Sequence, residues 1–293
     1  MIFCSLLLLV LLLFFPETAM AGSRYGATLW LTQLIPTLLP FFIAIRLFST
    51  CLPLLSAKRP FLFLGLLCGY PAGASLVAEQ YNNGLISKRQ AYFFLGSVNN
   101  PSPMFVLVFC GQTVLAISKT EATFLFLLLL LTSFLGSGIF FLLNHSKNTK
   151  FISPDSSSSQ KTTSSPATLS EKIDAIILDS FILIVKIGGY VILFSILGQF
   201  LISILPKDSI LSILLTGLLE ITSGVSYLKH SPFSFELKKV LILVILSFGG
   251  LSATAQTGSV LTQSKLSLFP YVLNKGLNSL LAGVIGYLLF CIF

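Results

Sequence analysis

Long apolar stretches separated by short polar ones run through the whole chain. A helix needs about 20 apolar residues to cross the hydrocarbon core of a bilayer. The pattern predicts nine apolar segments, at roughly residues 2–16, 27–56, 60–79, 91–117, 122–143, 173–205, 209–228, 237–264 and 267–293. We therefore expect an all-α, polytopic helical membrane protein that crosses a bacterial cell membrane several times.

Four of these segments contain a break, and the breaks occur in the same order in each half of the chain. The first half has broken stretches at residues 65–75 and 99–103, and the second half has them at 217–226 and 249–258. Lipid cannot hydrogen-bond a freed backbone group, so irregular backbone at membrane depth lies inside protein or beside a wet cavity. Broken segments at matching places in two halves are typical of a transporter binding site.

A Ser/Thr-rich stretch, residues 144–172, separates the halves and has almost nothing to bury, which predicts a loosely ordered linker. Apolar segments that start at residues 27, 91 and 122 in the first half correspond to segments that start at 173, 237 and 267 in the second half. The spacings are 146, 146 and 145 residues. We therefore predict a first membrane repeat at 27–143 and a second at 173–293. Residues 1–26 form an N-terminal helix, either a retained anchor, which we favour, or a signal-like segment, because residues 19–21 resemble a signal-peptidase site.

The breaks in segments 60–79 and 209–228 lie near the middle of each segment. About ten helical residues on either side would rise ~15 Å, half the hydrocarbon thickness, which suits a re-entrant hairpin with its tip at the midplane. Hairpins make the halves inverted repeats, whereas full spans make them parallel repeats. Lys and Arg in the loops divide 9 to 6 with hairpins and 10 to 5 with full spans. The charges thus favour full spans, and the central breaks favour hairpins, which we prefer.

Composition narrows the function classes further. The chain is 55% hydrophobic and 10% charged, with a mean hydropathy of +0.94, whereas soluble domains carry roughly 25% charged residues. The net charge of +8 is attributed to loops that orient the protein in the membrane, and no basic run with interleaved aromatics indicates nucleic-acid binding. The five cysteines form no CxxC pair, and no cluster has metal-ligand spacing. We predict no cofactor and no metal site.

The breaks supply the candidate solute-binding residues. Half-helix N-termini at a break direct backbone N–H groups at an anion, and neutral polar side chains beside them can donate or accept hydrogen bonds. The alternative is that the same residues form tightly packed, kinked spans joined by interhelical hydrogen bonds. The predicted binding residues are Gly69, Tyr70, Pro71, Gly73, Ser75, Asn99, Asn100, Ser252, Thr254 and Gln256.

Three charged residues lie well inside apolar segments: Arg46, Lys186 and Glu220. A charge near the bilayer centre costs at least ~2.5–3.5 kcal/mol, so it usually faces a cavity or a partner. We predict that Arg46 and Lys186 attract a solute anion and that Glu220 couples transport to a proton or ion. The alternatives are a structural ion pair of Glu220 with one of the two cations, or snorkelling of the long side chains to the membrane surface.

Several motifs resemble the YlbJ-type sporulation integral membrane proteins, within the wider nucleoside-recognition or Gate domain group. They are residues 36–42 (PTLLPFF), 69–74 (GYPAGA), 84–87 (GLIS), the Asn99–Asn100 pair and residues 249–252 (GGLS). The resemblance implies a multi-span, transporter-like protein. The best-known members are implicated in moving dipicolinic acid across a forespore membrane. This chain is shorter than typical members, and Asn-Asn is followed here by Pro101-Ser102-Pro103.

Together these features predict a transporter that moves a small, anionic solute, dipicolinate-like by family resemblance, by alternating access. The alternatives are a non-transporting membrane assembly component of sporulation, or a nucleoside or ion transporter. No enzyme is expected, because no P-loop, G-x-S-x-G motif or intramembrane aspartate pair is present in the sequence. The expected partners are the lipid bilayer and the solute, with a homo-oligomer left open.

Overall fold

A computed structural model describes residues 9–51, 60–143, 169–206, 209–264 and 266–292. These residues form helices joined by short turns and contain no strand. Five helical stretches are long and apolar enough to cross a membrane, namely Pro16–Phe48, Lys119–Leu143, Ser170–Ile204, Phe235–Leu261 and Leu268–Ile292. The described chain is therefore a polytopic, all-helical membrane protein, as the apolar pattern predicted. Most of the predicted linker, up to residue 168, lies outside the described residues.

The first half begins with two helices in continuous register, continues with shorter ones and ends with a long helix. A π-helical turn, Trp30–Leu34, joins the first two helices. A second π-helix, Phe105–Val114, follows the fifth. The helices of this half are α1 (Pro16–Leu29), α2 (Ile35–Cys51), α3 (Pro60–Cys68), α4 (Ala72–Asn82), α5 (Lys88–Val98) and α6 (Lys119–Leu143).

The second half begins with a long helix, followed by two short helices, a broken helix and a long final one. Serine side chains cap the N-termini of three of its helices, at Ser209, Ser234 and Ser267. The helices are α7 (Leu169–Ile204), α8 (Ile210–Leu219), α9 (Ile221–His230), α10 (Phe235–Phe248), α11 (Gly250–Leu261) and α12 (Leu268–Tyr287), which ends in the π-helical turn Leu288–Ile292.

The first long helix starts earlier than the hydropathy predicted, at residue 16 instead of 27. The cause is close packing of α1 against α7, which run antiparallel. A Cβ added to Gly22 would lie 2.7 Å from the Ile196 Cα, and one added to Gly26 would lie 2.9 Å from the Ile192 Cα. Small residues of modest hydropathy therefore extend the helix because they let its partner approach.

Two pairs of short helices double back on themselves. A Cβ added to Gly73 in α4 would lie 3.3 Å from the Gly65 carbonyl oxygen in α3. A Cβ added to Gly224 in α9 would lie 2.3 Å from the Gly217 Cα in α8. Each glycine pair flanks the turn symmetrically, so the two helices of each pair lie side by side. We call α3–α4 the first hairpin and α8–α9 the second hairpin.

Two further helices are interrupted without doubling back. The backbone leaves α5 at Asn99 and resumes a helical course at Pro103, ahead of the π-helix. Between α10 and α11 the chain turns through Gly249 and Gly250, with φ values of 89° and 76°. These left-handed values strain residues with a Cβ, so glycine is required at this break.

The core combines apolar packing with a ladder of buried amides. α6 and α12 run antiparallel, and Asn278 Nδ2 donates to the Gly96 carbonyl while Asn274 Nδ2 donates to the Tyr92 carbonyl, each at 3.0 Å. Ser137 in α6 donates to Asn274 Oδ1 at 3.1 Å. These contacts join α5, α6 and α12. The outward side chains of α6, such as Phe124 and Leu131, are exposed and apolar, which suits a lipid-facing surface.

The close approach at Gly96 yields a stability prediction. A Cβ there would lie 2.1 Å from Asn274 Nδ2 and 2.4 Å from Ser137 Oγ, so Gly96→Ala should displace both and destabilise the fold by about 1–3 kcal/mol. Thermal unfolding in detergent measures the effect. Gly276→Ala is the control, since nothing lies within 4 Å of its added Cβ; equal unfolding temperatures for the two variants would contradict the prediction.

Candidate functional site

A cavity of about 60 Å³ lies where both hairpins and both helix breaks converge. Its polar lining consists of Tyr70, Ser102, Glu220, Thr222, Ser252 and Gln256. Apolar side chains from the α1–α2 helix and from α7, including Phe42 and Ile187, form the opposite wall. A water molecule needs roughly 10–15 Å³ of such space, so the cavity has room for a few water molecules. The structure thus brings together breaks that are far apart in the sequence.

Glu220 forms the turn of the second hairpin. Its backbone is extended, and its carboxylate accepts hydrogen bonds from the backbone N–H groups of Thr222 at 3.0 Å and Ser223 at 2.7 Å. The residue is 2% exposed and lines the cavity. Glu220 is therefore the N-cap of α9, and its charge is stabilised by the N–H groups and the positive end of that helix.

Asn99 accepts a backbone N–H of the first hairpin in a similar way, although Asn99 belongs to the break after α5. Its Oδ1 accepts from the Ala74 backbone N–H at 3.2 Å, near the start of α4. Its Nδ2 donates to Thr257 Oγ1 at 2.9 Å and to Tyr271 Oη at 3.0 Å. One buried amide thus links the first hairpin to α11 and α12, and all of these contacts are made within the protein.

Asn100 is paired with a buried cation that the sequence reasoning did not single out. Lys275 in α12 is 1% exposed, and its Nζ donates to Asn100 Oδ1 at 2.8 Å and to the Asn99 carbonyl at 3.3 Å. Ser133 also donates to Asn100 Oδ1, at 3.2 Å. The signal in the sequence was the polar set Asn274, Lys275 and Asn278 inside an apolar segment, whose helix is unbroken in the structure.

The other predicted polar residues divide between the cavity and its surroundings. Ser252 and Gln256 line the cavity and lie 3.5 Å apart, from Gln256 Nε2 to Ser252 Oγ. Thr254 instead donates to the Gly250 carbonyl at 2.9 Å. Ser75 is exposed on α4. The structure thus brings Ser252 and Gln256 to the cavity and leaves Ser75 outside it.

The tip of the first hairpin occupies residues 69–71, and Gly69 and Tyr70 line the cavity. Gly69 has φ of +71°, and a Cβ on it would lie 2.8 Å from the Ser102 backbone nitrogen. Pro71 is the N-cap of α4, and Gly73 is buried against Asn99. Glycine at 69 therefore permits contact between the hairpin tip and the break after α5.

The predicted cations do not reach the cavity. Arg46 pairs with Asp179 at 3.0 Å, with 37% and 62% of the two side chains exposed. Lys186 is exposed on α7. Neither forms the ion pair with Glu220 that the sequence left open as an alternative, and their action on a solute stays a prediction. Among the described residues, no group of three or more His, Cys, Asp or Glu side chains could hold a metal ion.

Comparison with known proteins bears on the expected family. The chain is 24% identical over 324 aligned residues to the sporulation integral membrane protein YlbJ of Bacillus subtilis (strain 168), and the match covers 94% of this chain and 78% of that protein. No family model matches the chain, and no solved structure does. The wider relationship to the nucleoside-recognition domain group stays a prediction. The similarity runs through both groups of membrane helices and supports the expected resemblance to the YlbJ-type proteins; the chain is a multi-pass membrane protein.

Proposed function

We propose that this protein moves a small anionic solute across a bacterial membrane by alternating access. The observation that carries the proposal is the cavity in which the tips of two helical hairpins meet two interrupted helices. Irregular backbone at membrane depth is tolerated where it lines a cavity, and transporters bind solutes at such breaks. Dipicolinate is the candidate solute, and a forespore membrane the candidate location, on the family resemblance.

The two hairpins are proposed to be re-entrant and related as parts of inverted repeats. α8 and α9 have ten residues each, which rise about 15 Å and reach the middle of a ~30 Å hydrocarbon core. Inversion requires matching helices to run in opposite directions. In support, Gly22 of the first long helix packs against Ile196 of α7, and Gly136 of α6 packs against Asn278 of α12, both in antiparallel pairs.

An anionic solute suits the N-terminal end of α11. This helix begins at Gly250, and no side chain caps its first N–H groups. Free N–H groups at a helix N-terminus, together with the helix dipole, favour an anion. Ser252 and Gln256, in the first two turns of the same helix, line the cavity and can donate to a carboxylate.

Glu220 makes the proposed transport dependent on protons. Its carboxylate lies in the lining of a cavity that would also hold the solute anion, and two like charges at close range in a low-dielectric site repel strongly. Protonation of Glu220 removes that repulsion. We therefore assign Glu220 the role of taking up a proton when the anion binds and releasing it when the anion leaves.

The cavity is too small for the proposed solute in this conformation. A volume of about 60 Å³ holds roughly four to six waters, whereas a pyridine dicarboxylate has about twelve non-hydrogen atoms. Solute entry therefore requires the hairpin tips to move away from the interrupted helices. Gly69, packed on Ser102, and Tyr70, packed on Gly249, are the tip residues that would have to separate.

Proteoliposome uptake tests the proposed activity. Wild-type protein should accumulate labelled dipicolinate saturably, and Ser252→Ala or Gln256→Ala should each weaken uptake by roughly 10–100-fold through loss of one hydrogen bond to a charged group. Thr262→Ala is the control, because Thr262 is exposed just beyond α11. Nucleosides are tested in parallel. Accumulation of neither solute would disprove the proposal, and accumulation of nucleosides alone would disprove its anionic substrate.

A pH series tests the coupling role of Glu220. Wild-type uptake of the anion should increase as pH falls, because protonated Glu220 no longer repels the solute. Glu220→Gln keeps one of the two oxygens that cap α9, gives up the other, and removes the charge, so it should give uptake that no longer varies with pH. Glu121→Gln, at the start of α6 and away from this cavity, is the control. An unchanged pH profile in Glu220→Gln would assign coupling elsewhere.

A further inference from the structure

A buried ammonium group lies beside the cavity at the end of an interrupted helix. Lys275 Nζ is within hydrogen-bond distance of two oxygens, Asn100 Oδ1 at 2.8 Å and the Asn99 carbonyl at 3.3 Å. It also lies 5.6 Å from the centre of the Tyr70 ring, at the tip of the first hairpin. In the part of the chain that the structure describes, no carboxylate forms an ion pair with it. The ligands of this cation are therefore neutral.

These oxygens form a site suited to a cation. α5 ends at Val98, and the Asn99 carbonyl next to it lies at the negative end of the helix dipole. Asn100 Nδ2 donates to the Ser97 carbonyl at 2.7 Å, which directs the amide oxygen toward Lys275. In secondary transporters, unwound carbonyls and half-helix C-terminal ends of this kind coordinate Na⁺. Here the ammonium of the chain itself occupies that position.

We propose that Lys275 is a tethered cation that fills this site, so that the protein needs no dissolved alkali-metal ion there. The cation site itself follows from the contacts of Lys275 Nζ with Asn100 Oδ1 and the Asn99 carbonyl. Its consequence, solute movement independent of Na⁺ and K⁺, rests on the proposed transport function. Because α12, α5 and the first hairpin all meet at Lys275, the built-in charge holds together elements that a free ion would otherwise have to join.

Removing the Lys275 side chain distinguishes a cation site from a brace, by which we mean a residue that only packs between helices. Lys275→Ala leaves the oxygens of Asn99 and Asn100 in place and opens a space that matches propylammonium, the part of lysine beyond Cβ. A cation site should then bind an added cation. A brace that acts only through packing should be destabilised by the substitution and should not respond to cations.

The experiment measures thermal unfolding of the purified, full-length protein in nanodiscs. NaCl, KCl or propylammonium chloride is increased at the expense of choline chloride, which keeps ionic strength constant. The unfolding temperature of Lys275→Ala should rise saturably with propylammonium or with an alkali cation, while that of the wild type should not change. Lys119→Ala, which removes an exposed lysine at the start of α6, should behave like the wild type. No response of Lys275→Ala to any of the three cations would overturn the proposal.

The wild type provides a second test that needs no variant, should Lys275→Ala fail to fold. A saturable effect of Na⁺ or K⁺ on wild-type unfolding would show that the site takes a dissolved ion, and it would overturn the proposal. In proteoliposomes, uptake that requires Na⁺ or K⁺ would overturn it while leaving the transport function intact. Conversely, absence of any uptake together with a cation-responsive Lys275→Ala would refute the transport function and support the tethered cation.

Discussion

A break in a membrane helix frees backbone groups that lipid cannot satisfy, and the fold depends on the side chains that bond them. In the described structure, the N–H groups freed at the two hairpin turns bond to side chains from different places. Glu220 caps α9 from within the turn of its own hairpin. α4 instead receives its side-chain acceptor from Asn99, which belongs to the interrupted helix that follows. The cap of the first hairpin thus comes from a neighbouring element, whereas the second hairpin supplies its own.

This difference has a mechanical consequence. If the first hairpin moves away from α5, the Ala74 N–H loses its partner Asn99, and a buried donor left unpaired costs about 1–3 kcal/mol. The second hairpin can shift as a unit and retain both hydrogen bonds to Glu220. Movement of the second hairpin away from α7 would instead break the hydroxyl contact between Ser195 and Ser223, at 2.8 Å, and the hydrogen bond from Tyr227 to Gln199, at 3.3 Å. The first hairpin would have to replace its lost bond with water or with solute.

The sequence predicts the breaks well because their causes are local. Glycine and proline at residues 69–73 and 249–250 restrict or free the backbone whatever surrounds them, and both positions are turns in the structure. The contacts of Arg46 and Lys275 could not be predicted in this way. Asp179 is 133 residues from Arg46, and Asn100 is 175 residues from Lys275, so their pairing follows from packing between distant helices that no periodicity reveals. The early start of α1 has the same origin, in its packing on α7.

Tyr70 links the first hairpin to the break between α10 and α11. Its side chain packs on Gly249, where a Cβ would lie 2.2 Å from the Tyr70 hydroxyl. The hydroxyl is buried and has no hydrogen-bond partner among the described residues. This contact is therefore held by packing and opposed by about 1–3 kcal/mol of unmet hydrogen bonding. Withdrawal of the tip would let the hydroxyl bond to water or to a solute carboxylate. Proteins that exchange between two conformations need such states to differ by only a few kcal/mol, and the unpaired hydroxyl brings the closed arrangement nearer in energy to an open one.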